Sequence, residues 1–250
     1  MEIYNDNFQN YKRYGLPKAQ LVIADIPYNL GKNAYASSPL WYKKGEIKNG
    51  QSDKAGRAFF DTDEKFNIFE FMHFCSKMLK KEPKKVNDAP CMIVFCSFYQ
   101  QYPLIELAKR YGFNGFINLV FRKKTSGEVL KSNMRIVGNC EYAIIFYRDK
   151  LPKFRNNGKM IMNCMEFFRD DKSIPKIHPT QKPVKLLEYL ISLFTDLGDV
   201  VIDPCCGSGS ALVAAENLGR KAYGFEIKKD FVKLVKAKMF NAVEKKLIFE

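Results

Sequence analysis

The sequence predicts an α/β fold built on a mainly parallel sheet. Continuous apolar runs such as "QLVIAD" (20–25) and "PCMIVFC" (90–96) lack the alternation of a sheet with one wet face. Stretches with helical spacing of apolar residues lie between such runs, as in "FNIFEFMHFCSKMLKK" (66–81). With 250 residues, 46% hydrophobic and 27% charged, the chain has the composition of an ordinary globular protein and enough length for a substantial core.

The first ten residues, "MEIYNDNFQN", show no basic-then-apolar signal pattern. No apolar run approaches the roughly 18 residues of a membrane span, so a cytoplasmic protein without membrane contact is expected. "QLVIAD" reads as a buried strand that runs into "ADIPYNLG" (24–31), where Asp, Pro, Asn and Gly could simply make a turn. Residues 30–60 are rich in Gly, Ser, Asn and Lys without a sustained period, and are too long for an idle connection. A helix over 66–81 follows, then the strand 90–96 and a helix from about Tyr99 to Arg110. "GFINLVFRK" and "CEYAIIFYR" read as strands separated by a basic excursion over 122–138, and 148–177 is irregular and basic. Pro183 can open the helix "KPVKLLEYLISLF". The remainder reads as strand "DVVIDP", helix "SALVAAENLG", strand "KAYGFEI" and helix "KDFVKLVKAKMFNAVEK", with "LIFE" as a short final strand.

The seven cysteines are odd in number, show no CxxC pairing and lie mostly in apolar runs, which points to free thiols in a reducing compartment. With His73 and His178 as the only histidines, a histidine-based metal site is not expected. The formal charge of +14 is regional. Between 121 and 160, ten bases face only Glu128, Glu141 and Asp149; the stretch 30–57 repeats the bias and adds Trp41 and Tyr42. Basic loop-like segments with aromatics are the footprint of a nucleic-acid binder. The residues expected to contact DNA are Lys32, Trp41, Lys43, Lys44, Arg57, Arg122, Lys123, Lys124, Lys131, Arg135, Lys153 and Arg155.

"VVIDPCCGSGSALVAAENLGRKAYGFEI" carries the most chemistry. A strand ends in a turn with Gly207 and Gly209, a helix begins, and a second strand closes on Glu226. Glycines allow close approach of backbone to a ligand, and an acid about 20 residues on accepts from ribose hydroxyls. The third glycine of a dinucleotide fingerprint would fall at Leu212, which argues against a pyrophosphate and for a nucleoside without phosphates, such as S-adenosylmethionine.

"DPCCGSGS" (203–210) resembles the cofactor motif of S-adenosylmethionine-dependent DNA amino-methyltransferases, "HPTQKP" (178–183) resembles the segment that precedes it, and "DIPY" (25–28) resembles their catalytic "DPPY". The order of the three is that of the β class. The resemblance spans about residues 1–30, 66–147 and 178–245 and implies a Rossmann-like, circularly permuted, mainly parallel sheet of seven strands. It further implies one methyltransferase domain over 1–250. Its catalytic half would cover about 1–147, a short basic recognition segment about 148–177 and the cofactor half about 178–250, with a DNA-contacting loop over about 30–60.

By the same resemblance, the Asp25 carboxylate and the Ile26 carbonyl hold an exocyclic amine, Pro27 stiffens the turn and Tyr28 stacks on an extruded base. Ile26 stands where the family has its first proline. The segment holding His178, Thr180 and Lys182 wraps the methionine end of the cofactor, with Thr180 or Lys182 on its carboxylate. Asp203 faces the cofactor's amino group, Gly207, Ser208 and Gly209 form the turn, Glu226 takes the ribose, and Phe225 and Ile227 either flank the adenine or pack in the core. The implied activity is N6 methylation of adenine in DNA, since cytosine-N4 enzymes more often open the catalytic motif with Ser. A cytosine-N4 enzyme and an inactive DNA-binding relative are the alternatives. The family also implies a prokaryotic or phage origin, a homodimer and a cognate restriction endonuclease as partner.

Overall fold

A computed structural model describes residues 1–29, 66–124, 128–131, 134, 136–166, 170, 173–178 and 180–241 of the chain. Its strands are β1 (Glu2–Tyr4), β2 (Leu21–Asp25), β3 (Cys91–Cys96), β4 (Gly115–Arg122), β5 (Glu128–Lys131), β6 (Ile136–Gly138), β7 (Cys140–Tyr147), β8 (Cys164–Glu166), β9 (Val200–Asp203) and β10 (Lys221–Phe225). Its α-helices are α1 (Ile68–Met78), α2 (Gln101–Arg110), α3 (Val184–Phe194), α4 (Ser210–Asn217) and α5 (Lys229–Leu234).

The main sheet runs β1-β10-β9-β2-β3-β7-β4-β8. Its described pairings are parallel except those of β7, which lies antiparallel to both β3 and β4. Alternate side chains of the central strands enter two apolar layers. Leu21, Ile23, Ile93 and Phe95 pack with α3 and α4, while Val22, Ala24, Met92 and Val94 pack with α1 and α2. Burial on both faces explains why these strands read as unbroken apolar runs.

The expected seven strands are eight, with a separate antiparallel pair, β5 and β6, inside the 122–138 excursion. Edge strands β1 and β8 have three residues each, too few for any periodicity to show. Pairing with a long neighbour makes them strands. The C-terminal helix changes at Leu234 from α to a π turn over Val235–Phe240. The expected strand "LIFE" and the loop 30–60 lie outside the described residues.

The topology positions the site. β2 lies between β3 and β9 and runs parallel to both, so Asp25 and Asp203 end neighbouring strands on one edge of the sheet. Ligands of open α/β sheets bind at such carboxyl ends.

Candidate active site

The turn after β2 is held by its surroundings at every step. Ile26 is almost fully buried in the α1 and α2 layer, and its N–H donates to the Phe95 carbonyl at 3.2 Å, extending the ladder by one rung. The Pro27 carbonyl accepts from Gln100 Nε2 at 2.8 Å, and Gln100 is fixed in turn by Ser97, whose N–H and Oγ both donate to Gln100 Oε1. Asn29 adopts a left-handed φ of 54°, which this residue type tolerates, and its side chain bonds both backbone groups of Phe66. A turn pinned in this way presents Asp25 and Tyr28 without loop entropy to lose.

One oxygen of Asp25, Oδ2, receives the Lys182 ammonium at 2.7 Å; the other, Oδ1, is buried and has no hydrogen-bond partner among the described residues. Lys182 also lies 3.0 Å from Glu141 Oε2 and 3.5 Å from the Tyr28 hydroxyl, and it is 8% exposed. Lys123 forms a second ion pair with Glu141. Burial pushes the Asp25 carboxyl above its ordinary range and the Lys182 charge opposes that rise. The attraction of Asp25 and Glu141 overcomes burial to hold Lys182 well above the ordinary lysine range. Glu141 is held below its usual value because its two lysines outweigh its burial.

Beside this cluster lies the glycine turn between β9 and α4. Gly207 and Gly209 have left-handed φ values of 46° and 72°. A Cβ on Gly209 would stand 2.7 Å from Val235, so both conformation and packing demand glycine there. Ser208 and Ser210 share a hydroxyl contact at 3.0 Å. Asp203 is 5% exposed and accepts from the Cys205 N–H at 2.9 Å. Burial, aided by the charges of Asp25 and Glu226, pushes its carboxyl up to about 8. Glu226 accepts from the Lys228 N–H at 2.7 Å, and burial raises its carboxyl too. Its own backbone is tied to the N-terminus: Glu226 N–H donates to Tyr4 O, and Asn5 Nδ2 donates to the carbonyls of Glu226 and Ile227. A buried and a half-buried acid, both pushed toward the neutral form, make a crevice that favours a cationic ligand.

At the rim, His178 packs edge-on to Phe231 and its Nδ1 accepts from the Thr180 N–H. Burial, with the positive charges of Lys182 and Lys228, drops His178 to about 4, so it is neutral at pH 7. Thr180 and Ile227 are exposed beside the crevice.

Several sequence expectations need correction. Lys182, expected near the cofactor's carboxylate, instead reaches Asp25 at 2.7 Å and Glu141 at 3.0 Å, so its charge is spent on the turn after β2. Phe225 is fully buried among Tyr4, Tyr14 and Phe74, so it is core. Lys153 and Arg155, expected to contact DNA, are instead engaged by acids of the chain itself. Lys153 is 6% exposed and lies 2.7 Å from both Asp196 and Asp199, while Arg155 pairs with Asp196 at 2.8 Å. Asp199 precedes β9, so this cluster lies at the opposite end of the strand from Asp203. The Lys123 charge is drawn inward by Glu141. Arg122 and Lys124 are exposed, and Arg122 keeps only a loose, exposed pairing with Glu166 at 3.6 Å. Lys32, Trp41, Lys43, Lys44, Arg57 and Arg135 lie outside the described residues, as does the side chain of Lys131. Glu141 was the site residue missed; "CEYAII" reads as an ordinary strand, and only its acid in an apolar run gave a signal.

The pattern of the N6/N4 DNA methylase family, described as DNA methylase, matches residues 19–237. The chain belongs to this family. Among its relatives, the Escherichia coli (strain K12) protein named DNA adenine methyltransferase YhdJ is 27% identical, over 93% of this chain and 80% of its own length. The Type II methyltransferase M.HpaI of Haemophilus parainfluenzae is 32% identical, over 88% of this chain and 67% of its own. Among solved structures, that of M1.HpyAVI covers 95% of the methylase and 98% of its own chain, with a TM-score of 0.64 at 20% identity. The methylase therefore shares its fold with M1.HpyAVI.

Proposed function

We propose that this methylase transfers the methyl group of S-adenosylmethionine to N6 of an adenine flipped out of DNA, within a specific sequence. The observation that carries the reading is the pairing of strand ends: Asp25 with an unpartnered buried oxygen, next to the acid-lined glycine turn of Asp203 and Glu226. Asp203 and Glu226 fit a ligand bearing positive charge and ribose hydroxyls, and the left-handed glycines leave the turn's backbone accessible. Asp203, the 207–209 turn and Glu226 would hold that cofactor, with Thr180 and Ile227 at its rim. When bound, it supplies an electrophilic methyl on sulfur.

The chain's own residues then act on the base. The lone pair of an exocyclic amine is delocalised into the ring, so the amine is a weak nucleophile. Asp25 Oδ1 and the Ile26 carbonyl accept its two hydrogens, which draws the nitrogen toward a tetrahedral geometry with its lone pair localised and directed at the methyl group. They also stabilise the positive charge that develops on nitrogen. Tyr28 stacks on the base, whose removal from the duplex such chemistry requires. Adenine rather than cytosine is favoured by Asp25 at the head of the motif and by likeness to a protein named for adenine methylation. Likeness to bacterial proteins supports a bacterial cytoplasmic setting, and likeness to one named a Type II methyltransferase supports a restriction-modification role.

Sequencing DNA from a methylation-free host expressing the protein, with modified-base detection, tests this. N6-methyladenine confined to one sequence context is expected. N4-methylcytosine overturns the base assignment, and unmodified DNA overturns the activity.

A further inference from the structure

Lys182 sits in a segment that family resemblance ties to the cofactor, yet its ammonium ends on the catalytic turn. It bridges two carboxylates from different strands: Asp25 of β2 at 2.7 Å and Glu141 of β7 at 3.0 Å. The rings of Phe95 and Tyr28, with centroids 5.3 and 5.6 Å away, wall the ammonium on its other sides. Two charges of one sign this close to a single buried lysine would repel without it, and Lys123 balances Glu141 from outside.

We infer that Lys182, held by Glu141, is a positioning residue for methyl transfer: it clamps Oδ2 of Asp25 and thereby reserves Oδ1 as the acceptor for the base amine. The inference rests on the proposed reading of Asp25 as the amine acceptor. An ionised carboxylate is a stronger acceptor than a neutral acid and better offsets the charge that develops on nitrogen, and burial works against ionisation. The Lys182 charge lowers the Asp25 pKa, whereas the Glu141 charge raises it. Among the described residues, the other ionisable groups facing Asp25 are Tyr28 on the same turn, Cys96 on β3, Asp203 on β9 and Cys205 just after it. Lys182 is then a switchless clamp whose removal lets Asp25 take up a proton and rotate.

The test is a titration of the Asp25 carboxyl by carbon NMR in protein labelled at aspartate carboxyls, assigned with Asp25→Asn. It compares wild type, Lys182→Met and Glu141→Gln. Removing the lysine charge should raise the Asp25 pKa by about one unit or more, whereas removing the glutamate charge should lower it. Opposite shifts cannot come from loosened packing. Methyl transfer by Lys182→Met should fall at least about a hundredfold at pH 7, with its acid limb moved to higher pH and cofactor affinity unchanged. An Asp25 pKa that does not move in Lys182→Met overturns the proposal, as does a tenfold loss of cofactor affinity at unchanged turnover. Should Lys182→Met not fold, the neutral, polar Lys182→Gln is titrated in its place, and an unmoved Asp25 pKa in that variant overturns the clamp. A wild type that methylates no DNA overturns the functional reading instead, while the titration still tests the clamp.

Discussion

Ile26 makes a bond that proline could not. Its N–H donates to the Phe95 carbonyl, while the carbonyl assigned to the amine belongs to the backbone and is indifferent to the side chain. Ile26→Pro should therefore lower stability by roughly 1–3 kcal/mol, read as a fall in melting temperature, yet keep methyl transfer within about tenfold. Asp203 gives a second prediction at this scale. Burial pushes its carboxyl up to about 8, above the ordinary carboxylate value, which favours the protonated form at pH 7. A cationic cofactor favours the ionised form and should release that proton. Calorimetry in buffers of different ionisation enthalpy should show up to about one proton released at pH 7 in wild type and none in Asp203→Asn; equal release in both would remove Asp203 from the cofactor site. Residue types and turn chemistry made Asp25, Gly207, Asp203 and Glu226 legible in the sequence. The reach of Lys182 was not, because the tip of a long side chain can meet a partner 157 residues away that no local spacing records.

At the scale of elements, the glycine turn is the clearest case of legibility. Its strand, its left-handed glycines and its helix all obey local rules, and α4 starts at Ser210 directly after Gly209. Gly209→Ala must accept both a left-handed φ and a Cβ 2.7 Å from Val235, which displaces the helix C-terminal to α5. The expected cost is roughly 1–3 kcal/mol in stability, with weaker cofactor binding in calorimetry. A variant as stable as wild type would show that the turn relaxes freely. β1 and β8 were illegible for the converse reason. Three-residue strands have no period of their own, and their existence depends on the neighbour they join. That matters for the site, because the β1 backbone at Tyr4 and the Asn5 side chain fix Glu226.

Across the whole molecule, positive charge divides into two populations that composition could not separate. Lys153 and Arg155 neutralise Asp196 and Asp199 at the end of the sheet away from the site, whereas Arg122 and Lys124 are exposed. Lys153→Ala should thus lower stability by only roughly 1 kcal/mol, because Asp199 keeps Lys80 and Asp196 keeps Arg155, without changing the salt dependence of DNA binding. Neutralising Arg122 and Lys124 together should flatten the slope of log affinity against log salt by about 0.9 for each phosphate they neutralise in the wild type. Unchanged slopes would return both to ordinary surface charge. On the proposed function, two adjoining strand ends divide the work, β2 acting on the base and β9 with β10 holding the cofactor. Measuring Asp25→Ala for methyl transfer and for cofactor binding in parallel tests this division most directly. Cofactor affinity should stay near wild type while turnover falls at least about a hundredfold, the loss of about 3 kcal/mol expected when a preorganised acceptor is removed. Near-wild-type turnover, or a loss of cofactor affinity large enough to explain the defect, would contradict the account.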